Sequence, residues 1–326
     1  MSTLVIVNPN ATAVQPSVLG VVVEAFTTLG EIRIRTTDSR DQATDVAAAA
    51  LDDGTEIVVA VGGDGTVNAI VNGLLSHGVR PGVPSLAVVP AGNANVFARN
   101  LGFPNDPVEA TSMLIDGIRE RRVEAVNLGR ADDRYFLFNA GLGLDAEVLT
   151  RVERQRARGL KASLPLYVAS GVLAHATRTP LAAPPMTIVF EERPALTDVF
   201  TVIVQNAPVW TYFGSIPVTF APDAGLHDGL AVYGIRSLDT ISVSNHLARA
   251  ALRPSSLDAD SGAVDVRHFT VRAAVPTPLQ LDGDVVGDRS EVRFHSIDRA
   301  LRVVTPRAFS GDSLPFVGGP APFTVI

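Results

Sequence analysis

The stretch from Glu56 to Leu75, EIVVAVGGDGTVNAIVNGLL, limits the fold of this chain more than any other segment. It opens with the apolar, mostly β-branched run Ile57 to Val61, which is typical of a strand buried on both faces. Its last part places apolar residues at i, i+3, i+4, i+7 and i+8; these are Val67, Ile70, Val71, Leu74 and Leu75. That spacing predicts a helix with one apolar face. A strand, a glycine-rich turn and a helix in this order are typical of an α/β sheet.

The turn between them, Gly62-Gly63-Asp64-Gly65-Thr66, indicates a nucleotide site. Its glycines let the backbone turn sharply and let another molecule approach it closely. We predict Thr66 as the helix N-cap, with the first N–H groups of the helix forming a seat for phosphate. The turn is not a GxxxxGK[ST] P-loop, because the only lysine of the chain is Lys161, and it is not GxGxxG. On these residues alone, a plain tight connection remains an alternative.

The preceding residues alternate between strands and helices, which predicts a parallel sheet with crossover helices. We expect strands at Thr3 to Val7 and Ile32 to Thr36, and helices near Ser17 to Leu29 and Ala43 to Leu51. The first strand ends in the polar turn Asn8-Pro9-Asn10-Ala11-Thr12. Ligands of open α/β sheets bind at the carboxyl ends of the strands, so this turn is a candidate contact.

A second glycine-containing motif, PAGNANVFARNLG at Pro90 to Gly102, follows the next predicted strand, Leu86 to Val89. Together with GGDGT-x-Asn it resembles the signatures of the diacylglycerol kinase catalytic-domain family. That family includes diacylglycerol, sphingosine and ceramide kinases, with the NAD kinases as more distant relatives. The family pattern P-x-G-T-x-N-D-F-A-R-x-L-G is matched in register, except that Asn93 replaces Thr or Ser and Val96 replaces Asp.

A third motif, LQLDGD at Leu279 to Asp284, resembles the D-G-E segment of the same family. In the family, the Glu is the proposed base that takes the proton from the lipid hydroxyl. The resemblance therefore implies Asp284 as the general base, preceded by Asp282 and Gly283. On the residues alone, an Asp-Gly hairpin turn is the favoured reading.

The resemblance implies a NAD kinase/diacylglycerol kinase-like fold with two domains and the active site in the cleft between them. We expect an α/β ATP-binding domain at 1–125 and a β-rich, sandwich-like lipid-substrate domain at 126–304. The tail, 305–326, either packs back on the first domain or extends from it. A helix near Pro107 to Ile118 closes the first domain. Further strands are predicted at four places, namely Val123 to Asn127, Met186 to Phe190, Val199 to Val204 and Leu230 to Tyr233.

The family also implies the residues of the site and Mg²⁺ as cofactor. Asp64 is the candidate for organising Mg²⁺, directly or through water, and Asp284 is the candidate base. A second, structural Mg²⁺ site is implied at Asp228 and the carbonyl of Leu230, although His227 replaces the usual acid there. The residues expected to bind ATP are Asn8, Pro9, Asn10, Ala11, Thr12, Thr37, Gly62, Gly63, Asp64, Gly65, Thr66, Asn68 and Asn93.

Composition narrows the partners and the compartment. A net charge of −7 argues against a general nucleic-acid binder. Without cysteine there is no thiol catalysis. We find neither a signal peptide nor a run long enough to span a membrane, which predicts a cytoplasmic protein. The basic cluster Arg151, Arg154, Arg156, Arg158 and Lys161 is either a solvated face or a patch that docks on anionic lipid. The second reading predicts peripheral membrane association, and a homodimer stays open.

The implied reaction is transfer of the ATP γ-phosphoryl group to a lipid alcohol, with diacylglycerol giving phosphatidic acid. Two other functions stay open. One is a kinase for a different acceptor, such as a sphingoid base, another lipid alcohol or NAD. The other is a nucleotide-binding lipid sensor whose catalytic site has decayed, which the replacements at Val96, His227 and Asp284 would fit.

Overall fold

A computed structural model describes residues 2–12, 16–143, 185–237, 245–246, 248–250 and 261–306. The basic cluster from Arg151 to Lys161 and the tail from 307 onward lie outside these residues. Within the described part of the chain, no helix is both long enough and apolar enough to cross a bilayer.

The first part of the chain alternates strands and helices, as predicted. In chain order the elements are β1 (Thr3–Val7), α1 (Pro16–Thr27), β2 (Ile32–Thr36), α2 (Arg40–Ala49), β3 (Ile57–Gly62), α3 (Asp64–Leu74), β4 (Ser85–Pro90), α4 (Val96–Asn100) and α5 (Pro107–Arg119). Strands β1, β3 and β4 are buried along their whole length, which explains why they lack a polar alternate face.

These strands form a parallel sheet in the order β4-β3-β1-β2. The register pairs Val7 at the end of β1 with Val61 of β3 and with Thr36 of β2. The end of β3 lies in turn beside the end of β4, with Gly62 paired to Pro90. All four strands therefore end at one edge of the sheet, where the turns that carry the predicted nucleotide residues come together.

The remainder of the described chain is rich in strands, as predicted. The elements are β5 (Val123–Ala131), β6 (Arg134–Phe136), β7 (Asn139–Gly143), β8 (Met186–Phe190), β9 (Leu196–Val199), β10 (Thr201–Gln205), β11 (Thr211–Phe213), β12 (Ile216–Val218), β13 (Leu230–Ile235), β14 (Gly262–Val266), β15 (His268–Leu281) and β16 (Asp284–Val304). Strands β11 and β12 form a separate hairpin.

The long strand β16 connects the two parts of the molecule. It pairs with β15 and β5 along its length, and near its end Val303 pairs in parallel with Leu86 of β4. The apolar core under the parallel sheet accordingly includes Leu301 and Val303. A second apolar core lies among the strands of the later segment. The predicted boundary at 304/305 stays a proposal, but the chain already returns to the first core before that point.

Three local predictions need correction. Helix α3 begins at Asp64 with Gly63 as its N-cap, so Thr66 lies inside the helix and is not the cap. Helix α2 begins at Arg40, three residues before the expected start, because the side chain of Ser39 caps it by accepting from the Gln42 N–H. The single strand expected from Val199 to Val204 is two strands, which break at Phe200.

Candidate active site

The two glycine-rich turns pack against each other at the edge of the parallel sheet. The N–H of Ala91 donates to the carbonyl of Gly62 at 2.9 Å, which ties the end of β4 to the end of β3. A Cβ added to Gly92 would lie 2.6 Å from the Cα of Gly63. Because real side chains do not come this close, glycine is needed here for the approach of the two backbones. The predicted pairing of the two motifs is thus a direct contact.

Asp64, the predicted Mg²⁺ residue, also holds the second motif in place. Its carboxylate accepts from the backbone N–H groups of Val96 at 3.0 Å and Phe97 at 3.1 Å, and so caps the start of α4. Burial raises the pKa of Asp64, those two N–H groups and the charge of Arg99 lower it, and the nearby charge of Asp284 raises it. Asp64 and Asp284 are therefore electrostatic neighbours although they come from opposite ends of the chain.

The turn after β1 meets the glycine turn through a hydrogen bond between side chains. The Nδ2 group of Asn8 donates to the Thr66 hydroxyl at 3.0 Å, and the Asn8 N–H donates to the carbonyl of Val61. Thr37 is buried, and both its N–H and its hydroxyl donate to the carbonyl of Val7. Asn8, Thr66 and Thr37 therefore line one continuous edge and brace one another there.

The other residues expected to bind ATP differ in accessibility. Pro9, Asn10 and Thr12 are exposed in the turn after β1, and Ala11 is half-buried. Asn93 is exposed between β4 and α4. Their proposed contacts with ATP stay predictions.

Asn68 lies at the junction with the later strands, and its predicted contact with ATP stays a prediction. Its side chain is 0% exposed. Its amide nitrogen donates to the Asp282 carboxylate at 2.7 Å and to the carbonyl of Tyr135 at 3.1 Å, while its oxygen accepts from the Arg134 guanidinium. Since its polar atoms are engaged by the later strands, Asn68 joins α3 to that part of the molecule.

Asp282 is the acceptor at the centre of this junction. Its Oδ2 accepts from Asn68 and from the Leu137 N–H at 2.7 Å, and its Oδ1 accepts from the N–H groups of Phe138 at 3.0 Å and Asn139 at 3.2 Å. Burial raises the pKa of Asp282 to about 7, against the effect of these four donors. One carboxylate thus binds α3 and the connection between β6 and β7.

Asp284 lies immediately after a tight hairpin turn and begins β16. Asp282 and Gly283 both have positive φ, 50° and 87°, which is the conformation of a two-residue type I′ turn. Gln280 accepts from the Gly283 N–H at 2.8 Å and so fixes the turn from inside. The Asp-Gly hairpin favoured from the residues alone is therefore present, and it aims Asp284 at the edge where the parallel strands end.

Arg40 links Asp284 to the glycine turn, and the sequence reasoning did not identify it. One guanidinium nitrogen lies 2.6 Å from Oδ1 of Asp284, whose side chain is only 9% exposed. The same nitrogen lies 3.0 Å from the place that a Cβ on Gly65 would take. Helix α2 can bring Arg40 this close because it packs tightly on α3 at Gly73, where any side chain would overlap the carbonyl of Thr44.

Arg99 ties the second motif to the β11–β12 hairpin. Its guanidinium lies 3.3 Å from the centre of the Tyr212 ring and donates to the carbonyl of Gly214 at 2.9 Å. Burial lowers the pKa of Arg99 and raises that of Tyr212. Two charged groups act on Asp64: Arg99 and Asp284. Arg99 belongs to α4 and Asp284 to β16, and both elements also connect the two parts of the chain.

The second Mg²⁺ site has less support. Asp228 is exposed, and its carboxylate folds against Gly225. Its carbonyl accepts from the Asn127 side chain. Among the residues that the structure describes, no three acidic or histidine side chains are grouped so that they could hold a metal ion. Asp228 and Leu230 remain a prediction.

Arg40 could have been found from one local signal. The segment Ser39-Arg40-Asp41-Gln42 has the S-x-x-Q form of a capping box, and Gln42 indeed accepts from the Asp38 N–H. Placing the helix start at Ser39 would have put Arg40 at the edge of the sheet. Nothing local indicates its pairing with Asp284.

Comparisons with known proteins agree with the motifs. Residues 2–130 match the model of the diacylglycerol kinase catalytic domain. A diacylglycerol kinase of Staphylococcus epidermidis is 25% identical over 284 residues, covering 85% of this chain and 83% of that protein. One of Staphylococcus aureus is 26% identical over 295 residues, with the same coverage.

Solved structures support the same fold. A putative diacylglycerol kinase from Bacillus anthracis superposes with a TM-score of 0.74 at 21% identity, over 93% of this chain and 97% of that one. A second structure of a diacylglycerol kinase from that organism gives a TM-score of 0.73, at 21% identity and over 93% and 96% of the two chains. At this identity the likeness concerns the fold, and it confirms the predicted fold class. The motif pairing, the match over residues 2–130 and the relatives together support the resemblance to this family and an enzyme of the diacylglycerol kinase type.

Proposed function

We propose that this protein transfers the γ-phosphoryl group of ATP to the hydroxyl of a membrane lipid, with diacylglycerol as acceptor and phosphatidic acid as product. One observation carries the proposal. Asp284, the only carboxylate of the third motif that begins a strand, lies at the glycine turn of the first motif and is joined to it through Arg40. A carboxylate held beside a glycine-rich helix start can accept the proton of an alcohol that attacks a phosphate bound there.

The glycine turn supplies the seat for the phosphates. No side chain caps α3 at Gly63, so the first N–H groups of this helix remain available to phosphate oxygens. The two turns meet without side chains at Gly63 and Gly92, which lets a nucleotide approach the backbone. The adjoining Asn8 and Thr66 pair would border the same seat.

Asp64 fits the Mg²⁺ that accompanies ATP. Each of its oxygens accepts one backbone N–H and keeps a further lone pair for an ion or its water. Mg²⁺ is usually held by one or two carboxylates together with substrate phosphates and water, so a cluster of three acids is not needed here. When bound, the ion would neutralise charge on the phosphates.

Asp284 would act as the general base. The lipid hydroxyl oxygen forms a bond to the γ-phosphorus, the bond from that phosphorus to the β,γ-bridging oxygen breaks, and ADP leaves. The hydroxyl proton passes to a carboxylate oxygen of Asp284. The type I′ turn and Gln280 hold this carboxylate in position before substrate arrives, which is the main protein contribution in such reactions.

The test is a phosphorylation assay with labelled ATP, Mg²⁺ and mixed micelles that contain diacylglycerol, a sphingoid base or another lipid alcohol. We expect labelled phosphatidic acid, and a loss of about 10²–10⁴-fold in turnover for Asp284→Asn with nucleotide binding retained. If only another lipid became labelled, that lipid would be the acceptor in place of diacylglycerol. Nucleotide binding without phosphorylation of any lipid would favour the sensor over the kinase. An Asp284→Asn variant as active as the parent would show that Asp284 is not the base.

The proposal includes peripheral attachment to anionic membranes, cytoplasmic location and ATP as donor. The basic cluster that motivates membrane attachment, Arg151 to Lys161, lies outside the described residues, so its support is the sequence alone. Each basic residue near an anionic surface contributes about 1 kcal/mol.

A further inference from the structure

The Arg40 side chain is shared between two of the site's motifs. Its guanidinium nitrogen lies 2.6 Å from Oδ1 of Asp284 and against Gly65 of the phosphate seat, yet the side chain is 56% exposed. It can therefore leave Asp284 without unfolding anything around it.

Helix stability does not explain the position of Arg40. Arg40 is the first residue of α2, and a positive charge at a helix N-terminus opposes the helix dipole. Its ion pair compensates the charge of Asp284, whose side chain is 9% exposed, but the Arg40 side chain itself stays 56% exposed. An exposed cation beside the phosphate seat is therefore also placed to meet an anionic ligand.

The phosphates of a nucleotide at the glycine turn would compete for this guanidinium. An arginine fork binds phosphate oxygens in pairs and more strongly than it holds one carboxylate oxygen. The other guanidinium near Asp64, that of Arg99, already covers the Tyr212 ring and donates to the carbonyl of Gly214. Arg40 is thus the cation of the described site with the freedom to move.

We propose that Arg40 is a clamp that changes partners: it holds the Asp284 carboxylate in the free protein and passes to the β- and γ-phosphates when nucleotide binds. This rests on the proposed nucleotide site at the glycine turn. The exchange removes the Arg40 guanidinium from Oδ1 of Asp284 only when the phosphates are in place. It follows that Asp284 and the phosphates compete for one guanidinium.

Competition for Arg40 and simple repulsion between Asp284 and the phosphates predict different results in a double-mutant cycle. Binding of adenylyl imidodiphosphate, and of AMP, is measured by calorimetry in EDTA, so that only cations of the protein face the phosphates. Arg40→Gln should weaken adenylyl imidodiphosphate about tenfold and leave AMP within about twofold. Asp284→Asn should tighten adenylyl imidodiphosphate about two- to fivefold, and should have no such effect in the Arg40→Gln background.

Arg80→Gln is the matched control. Arg80 is exposed in the loop before β4, at the opposite end of the sheet from the glycine turn, and its removal lowers the net charge equally. Arg80→Gln should bind both nucleotides as the parent does.

The outcomes separate this inference from the proposed function. Equal tightening by Asp284→Asn in both backgrounds, or equal weakening of both nucleotides by Arg40→Gln, would overturn the clamp and leave the kinase untouched. Nucleotide binding that follows the cycle in a protein that phosphorylates no lipid would overturn the kinase and keep the clamp. A parent that binds no adenylyl imidodiphosphate would overturn both.

Discussion

Replacing Asp282 by Asn is the sharpest test of how the two parts of the chain are joined. Each carboxylate oxygen of Asp282 accepts from two N–H donors: Oδ2 from Asn68 and Leu137, and Oδ1 from Phe138 and Asn139. The side chain is 5% exposed, so water does not substitute for these bonds. Asp282→Asn keeps the shape and replaces one of the two acceptors by an NH₂ donor.

The magnitude follows from the count of donors. Whichever way the amide turns, two N–H groups face a donor, and hydrogen bonds to a charged group contribute about 1.5–3 kcal/mol each. Part of that loss is offset, because a buried charge no longer has to be desolvated. Because the pKa of Asp282 is raised despite its four donors, this offset is large, and we expect the free energy of unfolding to fall by only about 1 kcal/mol.

Urea denaturation at pH 8, where Asp282 is ionised, measures this change. The fluorescence of Trp210, the only tryptophan, reports on the junction, because its carbonyl accepts from the Asn139 side chain at 2.8 Å. Asp288→Asn in the same hairpin is the control; Asp288 is exposed, and its replacement should change stability by less than about 0.5 kcal/mol. A change as small for Asp282→Asn would refute the account of the junction.

Three further results are expected. Burial raises the pKa of Asp282 to about 7, whereas the pKa of an unfolded Asp is about 3.9. Protonation of Asp282 therefore stabilises the folded state fully below about pH 4, and this contribution is lost as the pH rises to about 7. Across that window, the urea midpoint should fall more steeply in the parent than in Asp282→Asn. Gly92→Ala should lower the melting temperature and weaken nucleotide binding, because its methyl group would overlap Gly63, whereas Gly20→Ala, which meets no atom within 4 Å and lies in α1, should add about 0.5–1 kcal/mol to stability. Co-sedimentation with anionic vesicles should decrease from low to high salt, and binding indifferent to salt and anionic lipid would return the segment Arg151 to Lys161 to a solvated face.

Strands were predicted well where a short apolar or alternating run is bounded by polar or turn residues. The bounds expected for Ile32–Thr36 and Met186–Phe190 are those of β2 and β8. A short apolar β-branched run between polar residues has few alternative structures, so its ends are visible in the sequence. The break at Phe200 was not visible, because the N–H of Phe200 is satisfied by the carbonyl of Ile235, far along the chain.

Helix starts were less predictable, since several residues compete for the cap. Thr and Gly are about equally preferred as N-caps, and Gly63 is extended, with φ −89° and ψ 179°, which allows the helix to begin at Asp64. The Thr66 hydroxyl then accepts from Asn8, and the Asp64 carboxylate caps α4 rather than its own helix. Tertiary contacts thus engage both side chains, including that of Thr66, which was predicted as the cap of its own helix.

The contacts that organise the candidate site could not be predicted, because they join residues far apart in the chain. Asn68 and Asp282 are 214 positions apart; Asn68 was assigned to ATP binding, and Asp282 was noted only as preceding the proposed base. The structure divides each motif between two tasks instead. Asp64 and Asp284 face the edge of the sheet, while Asn68, four residues after Asp64 in α3, and Asp282, two residues before Asp284, bind each other in the interior. Since Asp284 is two residues from Asp282, and Gly65 three residues from Asn68, the buried pair fixes the distance at which the proposed base meets the phosphate seat. Each of these two motifs therefore supplies both a residue of the candidate site and the buried contact that positions it.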